Sequence, residues 1–244
     1  MGFGHEMFTV ERFTDMVRRL IILPILIFLF QGPATADESL ISILEGIQKN
    51  YGHLSGLSVP YSREVITRSM SMLGDQVKGD IASGTIFFKH PYSLRLEQEK
   101  PKAETIIANN DTLWWYIPDK KCAYRYPAKD FGKELRLLSN IFRGLSEVEN
   151  SFQVLLQDRN KSGEYEIELI PDPPWQEINK INLTVTKKYE IQTVRIHNQL
   201  GSITVFILGG FTEKEGFEKG FFQFIAPEGV RLIVEGTGVH PEMR

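Results

Sequence analysis

The run Gly84-Thr85-Ile86-Phe87-Phe88-Lys89-His90-Pro91-Tyr92-Ser93-Leu94-Arg95-Leu96-Glu97 governs the reading of the whole chain. Thr85–Lys89 is rich in the β-branched and aromatic residues that suit a pleated strand. Pro91 breaks the strand, because proline has no N–H to give to a ladder. Beyond it, Leu94, Arg95, Leu96 and Glu97 alternate apolar with charged, the period of a strand with one dry and one wet face.

The same grammar continues toward the C-terminus. Ile106-Ile107 lead to the turn residues Asn109-Asn110-Asp111, then Leu113–Ile117 follows, and Pro118-Asp119 turns the chain into Cys122–Tyr126. A helix interrupts: Leu135, Leu138, Ile141 and Phe142 share one face, and Gly144 can end it with a positive φ. Strands resume at Phe152–Leu156. Glu164, Glu166 and Glu168 then alternate with Tyr165, Ile167 and Leu169, which reads as a solvated face and not as paired catalytic acids. Ile181, Leu183 and Val185 continue the pattern, as do Val194 with Ile196, Ile203 through Leu208, and a last strand at Phe222-x-Phe224 ending at Pro227 and Gly229. Upstream, Leu40, Ile43, Leu44, Ile47 and Tyr51 recur at helical spacing, with Asp37 or Ser39 as cap and Gly52 as stop.

The expected fold is mainly β (α+β), with roughly ten antiparallel strands and two or three helices in one domain. A long antiparallel sheet that curls has a concave face. Side chains and helices fill that face as a packed core, or short amphipathic helices cover it as a lid over an apolar cavity; alternation does not distinguish the two.

At the N-terminus, Arg18-Arg19 precede an apolar run from Leu20 to Phe30, followed by Gln-Gly-Pro and Ala34-Thr35-Ala36. These are the parts of a secretory signal, and the run falls short of the roughly 20 residues a spanning helix needs. Residues 1–36 therefore read as an N-terminal extension and cleavable signal peptide, cut after Ala36, and residues 37–244 as a single exported domain. With no cysteine at the cleavage site, the mature protein is expected to be free of a lipid anchor.

The 244 residues are 42% apolar and 24% charged, with net charge -3, which argues against a basic footprint for nucleic acid. Cys122 has no partner for an internal disulfide and fits a strand beside Tyr124 and Tyr126. His5, His53, His90, His197 and His240 lack metal-ligand spacing, and H-E-x-x-H, G-x-S-x-G, C-x-x-C and G-x-G-x-x-G are all missing. Neither catalysis nor a metal or other cofactor is expected.

Three stretches, in order, resemble the outer-membrane lipoprotein carrier (LolA-like) family. The first is Gly84 through Pro91 with Leu94-Arg-Leu96. The second, Asn110-Asp111-Thr-Leu-Trp114-Trp115-Tyr116-Ile-Pro118, is similar to the family's "D-G-x-x-L-W-x-Y-x-P" hairpin. The third, Phe222-x-Phe224-x-Ala226-Pro227-x-Gly229-Val230, is similar to its "F-x-F-x-P-P-x-G-V". The resemblance spans essentially residues 37–235. It implies an incomplete, strongly curved antiparallel β-barrel covered by a lid of short α-helices, working in the periplasm as a monomeric carrier. Its implied partners are acylated lipoproteins and the inner-membrane lipoprotein-releasing ABC transporter, with an outer-membrane receptor left open. A periplasmic lipoprotein sensor on the same half-barrel, and a secreted hydrolase with an apolar cleft, are the competing readings.

Alternation and resemblance together select Ile86, Phe88, Leu94, Leu96, Ile106, Trp114 and Tyr116 as cavity wall. Leu44, Ile47, Leu138 and Ile141 are selected as lid. His90 stands where the family usually has an arginine that latches the lid helices. Histidine has fewer donors and is mostly neutral near pH 7. It reads either as a looser, pH-sensitive latch or as an exposed strand-end residue.

Overall fold

The computed structural model describes residues 39–72, 78–109, 111–127 and 133–234. The leader read at residues 1–36 lies outside them. The first element is helix α1 (Leu40–Tyr51). Of the two cap candidates Ser39 is the one seen capping, its Oγ accepting the Ser42 N–H at 3.3 Å. Ile43, Ile47 and Tyr51 lie on its buried face.

Tyr51 ties the helix end to the sheet. Its buried hydroxyl accepts the Ile191 N–H at 3.0 Å, and burial pushes its pKa up to about 12. Tyr51→Phe leaves that N–H without an acceptor and is expected to destabilise the protein by about 1–3 kcal/mol in denaturant unfolding. An unchanged midpoint would mean that water satisfies the Ile191 N–H.

Strand β1 (Gly56–Ile66), a short helix α2 (Arg68–Met72), and strands β2 (Asp80–Lys89), β3 (Ser93–Lys100), β4 (Glu104–Ala108), β5 (Thr112–Ile117) and β6 (Cys122–Pro127) follow. The turn between β4 and β5 is an Asx turn: Asn109 Oδ1 accepts from the backbone N–H of Asp111 and Thr112, each at 3.0 Å. Helix α3 (Lys133–Phe142) comes next, and Gly144 leaves it at φ +76 as its role of terminator requires. The second half holds β7 (Phe152–Gln157), β8 (Tyr165–Pro171), β9 (Ile178–Val185), β10 (Ile191–Asn198), β11 (Ile203–Leu208), the two-residue β12 (Thr212–Glu213) and β13 (Arg231–Val234).

These strands form one sheet in the order β13-β6-β5-β4-β3-β2-β1-β11-β10-β9-β8-β7, with β12 beside β1. The β13–β6 pair is parallel, and the other pairings among the described residues are antiparallel. The order runs from edge to edge without closing, so the sheet is an open, incomplete barrel. Within β8, Tyr165, Ile167 and Leu169 are buried on one side. On the other, Glu166 accepts from Thr184 Oγ1 at 2.9 Å and Glu168 from Lys180 Nζ at 2.7 Å. This ion pair, with a further hydrogen bond from Asn182, holds the Glu168 carboxyl below its usual range.

Two expectations change. Phe222-x-Phe224 is not a strand but part of an irregular segment, and the last strand is Arg231–Val234. Aromatic spacing of two fits a strand. It also fits a turn that lays its rings on another surface, which is what occurs here. The second change is β1, a central strand that hydrophobic alternation does not announce. Pro60 and the charged pair Arg63-Glu64 interrupt its pattern. Pro60 falls between the part of β1 paired with β12 and the part paired with β11, where no ladder donor is required.

Candidate functional site

The cross-strand register assigns every side chain to one of two faces. One row runs Leu57, Phe88, Leu94, Ala108, Leu113 across β1 to β5, and the next runs Val59, Ile86, Leu96, Ile106, Trp115. Beyond β1 the same face continues through Phe206, Val194, Leu183 and Ile167. Helices α1 and α3 pack directly on this inner face. Ile43 and Ile47 from α1, and Leu137, Leu138, Ile141 and Phe142 from α3, join these strand residues in one buried cluster. The Phe88 and Phe142 rings stand 5.9 Å apart.

The chain leaving α3 closely approaches α1. A Cβ on Gly144 would fall 2.8 Å from the Gln48 Cα, so the chain leaving α3 lies against the backbone of α1. Gly46 serves the other side of α1, where the Tyr189 ring occupies the space of its missing side chain. Asn50 adds a hydrogen bond to the Lys188 carbonyl at 2.6 Å. Helix α1 is thus fastened to the β9–β10 turn, and α3 packs against β3 and the Phe88 ring of β2.

Ile86, Phe88, Leu94 and Leu96 come together on the inner face with at most 2% exposure, and Ile106 packs beside them. Ile47, Leu138 and Ile141 are fully buried between helices and sheet, and Leu44 is partly buried against the same cluster. Trp114 and Tyr116 lie elsewhere: they face the opposite side, under Phe224, at 4.9 and 5.6 Å between rings. The reason is register. From β2 to β4 even-numbered residues pair with even-numbered ones, but the β4–β5 turn pairs Ile106 with Trp115. A one-residue change of phase carries the whole strand to the other face. Leu113, Trp115 and Ile117 therefore take the inner positions.

His90 is exposed at the end of β2, and its backbone N–H donates to the Ser55 carbonyl at 3.0 Å. The turn it belongs to reaches the chain just past α3 through Tyr92, whose ring lies 4.8 Å from the Arg143 guanidinium. Cys122 is buried on β6. Among the described residues, no group of three His, Cys, Asp or Glu side chains is placed to hold a metal ion.

On the outer face the irregular segment covers β2 through β5. Phe217 and Phe221 pack on Phe87, with Phe221 at 5.1 Å. The Arg95 guanidinium lies over the Phe221 ring at 4.7 Å and donates to its carbonyl at 2.8 Å. One end of the inner face is polar. Tyr61, Arg63, Gln98 and Glu104 project there from β1, β3 and β4, and Glu134 approaches from the first turn of α3. Sequence patterning passes over this group, because charged residues on a strand read as a wet face. Burial holds the Glu134 carboxyl above its usual range, and the charge of Arg63 offsets only part of that rise.

Known proteins resemble this chain in sequence and in structure. A curated outer-membrane lipoprotein carrier protein from Nitrosospira multiformis is 24% identical over 156 residues, covering 63% of this chain and 73% of its own. Another, from Methylobacillus flagellatus, is 21% identical over 174 residues, covering 71% and 80%. Among solved structures, an uncharacterized conserved protein from Thermus thermophilus aligns over 81% of this chain and all of its own, at TM-score 0.47 and 12% identity. A LolA superfamily protein from Nitrosomonas europaea aligns over 76% and 98%, at TM-score 0.42 and 12% identity. The model of the family described as outer membrane lipoprotein carrier protein LolA matches residues 72–225, which takes in β2 through β11, helix α3 and the aromatic segment on the outer face. By that match, across most of the sheet and one of its two covering helices, the chain belongs to the LolA outer membrane lipoprotein carrier family.

Proposed function

We propose that this protein is a periplasmic chaperone. It takes up the acyl chains of lipoproteins between its inner sheet face and its two covering helices, and carries them toward the outer membrane. The observation that carries the reading is the pairing of a continuous apolar sheet face with helices short enough to move as units. Family membership supports it. Each methylene withdrawn from water is worth about 0.8 kcal/mol, so a long acyl chain competes with the buried side chains of the helices for the same surface. Cargo enters as the helices lift and leaves as they return. Apolar contact holds acyl chains without demanding one sequence of cargo.

In this reading Ile86, Phe88, Leu94, Leu96 and Ile106 form the wall, joined by Leu113 and Trp115. Leu44, Ile47, Leu138 and Ile141 line the lid. The His90–Tyr92 turn is the latch, acting through Tyr92 and Arg143. The inner-membrane ABC transporter supplies the cargo, and the protein reaches the periplasm through the leader at residues 1–36.

The test is purification from periplasm, with organic extraction and mass spectrometry of the bound material, beside release of lipoproteins from inner-membrane vesicles. Acyl chains or lipoproteins are expected to co-purify, and to be lost when Leu94→Gln places an amide on the wall. A protein that carries no acyl material and releases no lipoprotein would overturn the reading.

A further inference from the structure

The polar groups at the end of the inner face pair off only in part. Tyr61 and Arg63 stand two residues apart on β1, so both project from that face, opposite Gly84 and Ala82. Tyr61 is 4% exposed, its ring rests 6.0 Å from that of Phe206, and its hydroxyl is buried without a hydrogen-bond partner. Arg63 donates from Nη2 to Gln98 Oε1 at 3.4 Å, yet its Nε is also buried and unpaired. Gln98 is itself fixed, donating to the Lys102 carbonyl at 2.9 Å. Glu104 accepts from the Trp115 indole at 2.9 Å. Two buried donors thus stand side by side without an acceptor, where most buried polar groups have partners.

Helix α3 gives this end a direction. Its first turn, with Glu134, lies by Arg63, and its last residue, Phe142, packs on Phe88 at the Leu57 end of β1. From Leu57 to Arg63 the strand extends about 20 Å at roughly 3.3 Å per residue. The apolar rows described above fill one end of that length and the donor pair closes the other.

We propose that Tyr61 and Arg63 bind a carbonyl oxygen at the root of the cargo's acyl chains, an ester or amide, with the chains running from there toward Leu57 and Phe88. This rests on the carrier reading and adds an orientation and a polar anchor to it. A cation would be repelled by the Arg63 guanidinium, which is always charged. A phosphate or free carboxylate would add negative charge beside the acidic side chains Glu104 and Glu134 at this end of the face. A neutral acceptor engages both donors without adding like charge.

The experiment uses the full protein and two synthetic S-diacylglyceryl-cysteine peptides of equal chain length, one with ester-linked chains and one with ether-linked chains lacking the carbonyls. Their affinities are compared by displacement of an apolar fluorescent probe. The ester form is expected to bind about tenfold more tightly. Tyr61→Phe and Arg63→Met are each expected to bring it toward the ether level while leaving ether binding unchanged. Tyr61→Phe removes only an unpaired hydroxyl and keeps the ring, so it serves where Arg63→Met fails to fold. Equal binding of both peptides by the unaltered protein, or equal weakening of both in the variants, overturns the anchor and leaves the carrier reading standing. Binding of neither peptide overturns both.

Discussion

Phe142→Ala is expected to lower the unfolding free energy by about 3–5 kcal/mol and, at the same time, to increase uptake of an apolar dye. Phe142 is the last residue of α3, 1% exposed, and its ring lies against Phe88. Truncating it removes a large apolar contact, and neighbours refill such a hole only in part. Here the loss falls on one side on a covering helix and on the other on the wall beneath it. The balance between docked and lifted α3 therefore shifts toward lifted, and the inner face becomes accessible in a larger fraction of molecules. Denaturant unfolding measures the first effect and titration with an environment-sensitive dye the second. A stability loss with unchanged dye uptake would show that α3 is ordinary core.

The second large effect is expected at Gly84. A Cβ there would stand 1.9 Å from the Glu97 carbonyl oxygen and 2.9 Å from the Gln98 Cα. Both obstacles are backbone of the neighbouring strand, so no flexible side chain can yield. The site coincides with a shift of register between β2 and β3 at Ser83/Gly84, the kind of irregularity that bends a strand. Gly84→Ala must push β2 and β3 apart where the sheet curves, and is expected to cost about 3 kcal/mol or more. Thermal unfolding followed by circular dichroism measures it. A melting curve equal to that of the unaltered protein would mean that the curvature does not depend on this approach.

Much of the sheet could be read directly from residue order, and the reasons for success and failure are local. Leu94-Arg95-Leu96 and Tyr165 through Leu169 alternate cleanly because one side of each strand joins the apolar cluster while the other carries polar side chains. The resemblance, resting on glycine, proline and aromatic positions, supplied the covering role of the helices, which alternation left open. Trp114 and Tyr116 went to the wrong face because a hairpin transmits its phase through its pairing register, and the Asn109–Asp111 turn does not declare whether that register is odd or even. Strand β1 stayed hidden for a different reason. Its inner positions pass from Leu57 and Val59 to Tyr61 and Arg63, so a half-buried guanidinium reads as solvent-facing until its neighbours are known. The polar anchor could not be found in the sequence at all, because what distinguishes Tyr61 and Arg63 is the partners they lack.

The fastening of the two helices to different parts of the sheet has a mechanical consequence. Because α1 is held at the β9–β10 turn and α3 lies over β2 and β3, they resemble two shutters hung on opposite jambs, meeting where Gly144 lies against Gln48. In the proposed carrier either shutter would swing without unfastening the other, and the aperture would open along their common seam. Its width would be set by how far the jambs stand apart, and in a sheet whose edges do not close that distance is free to follow the bulk of the cargo.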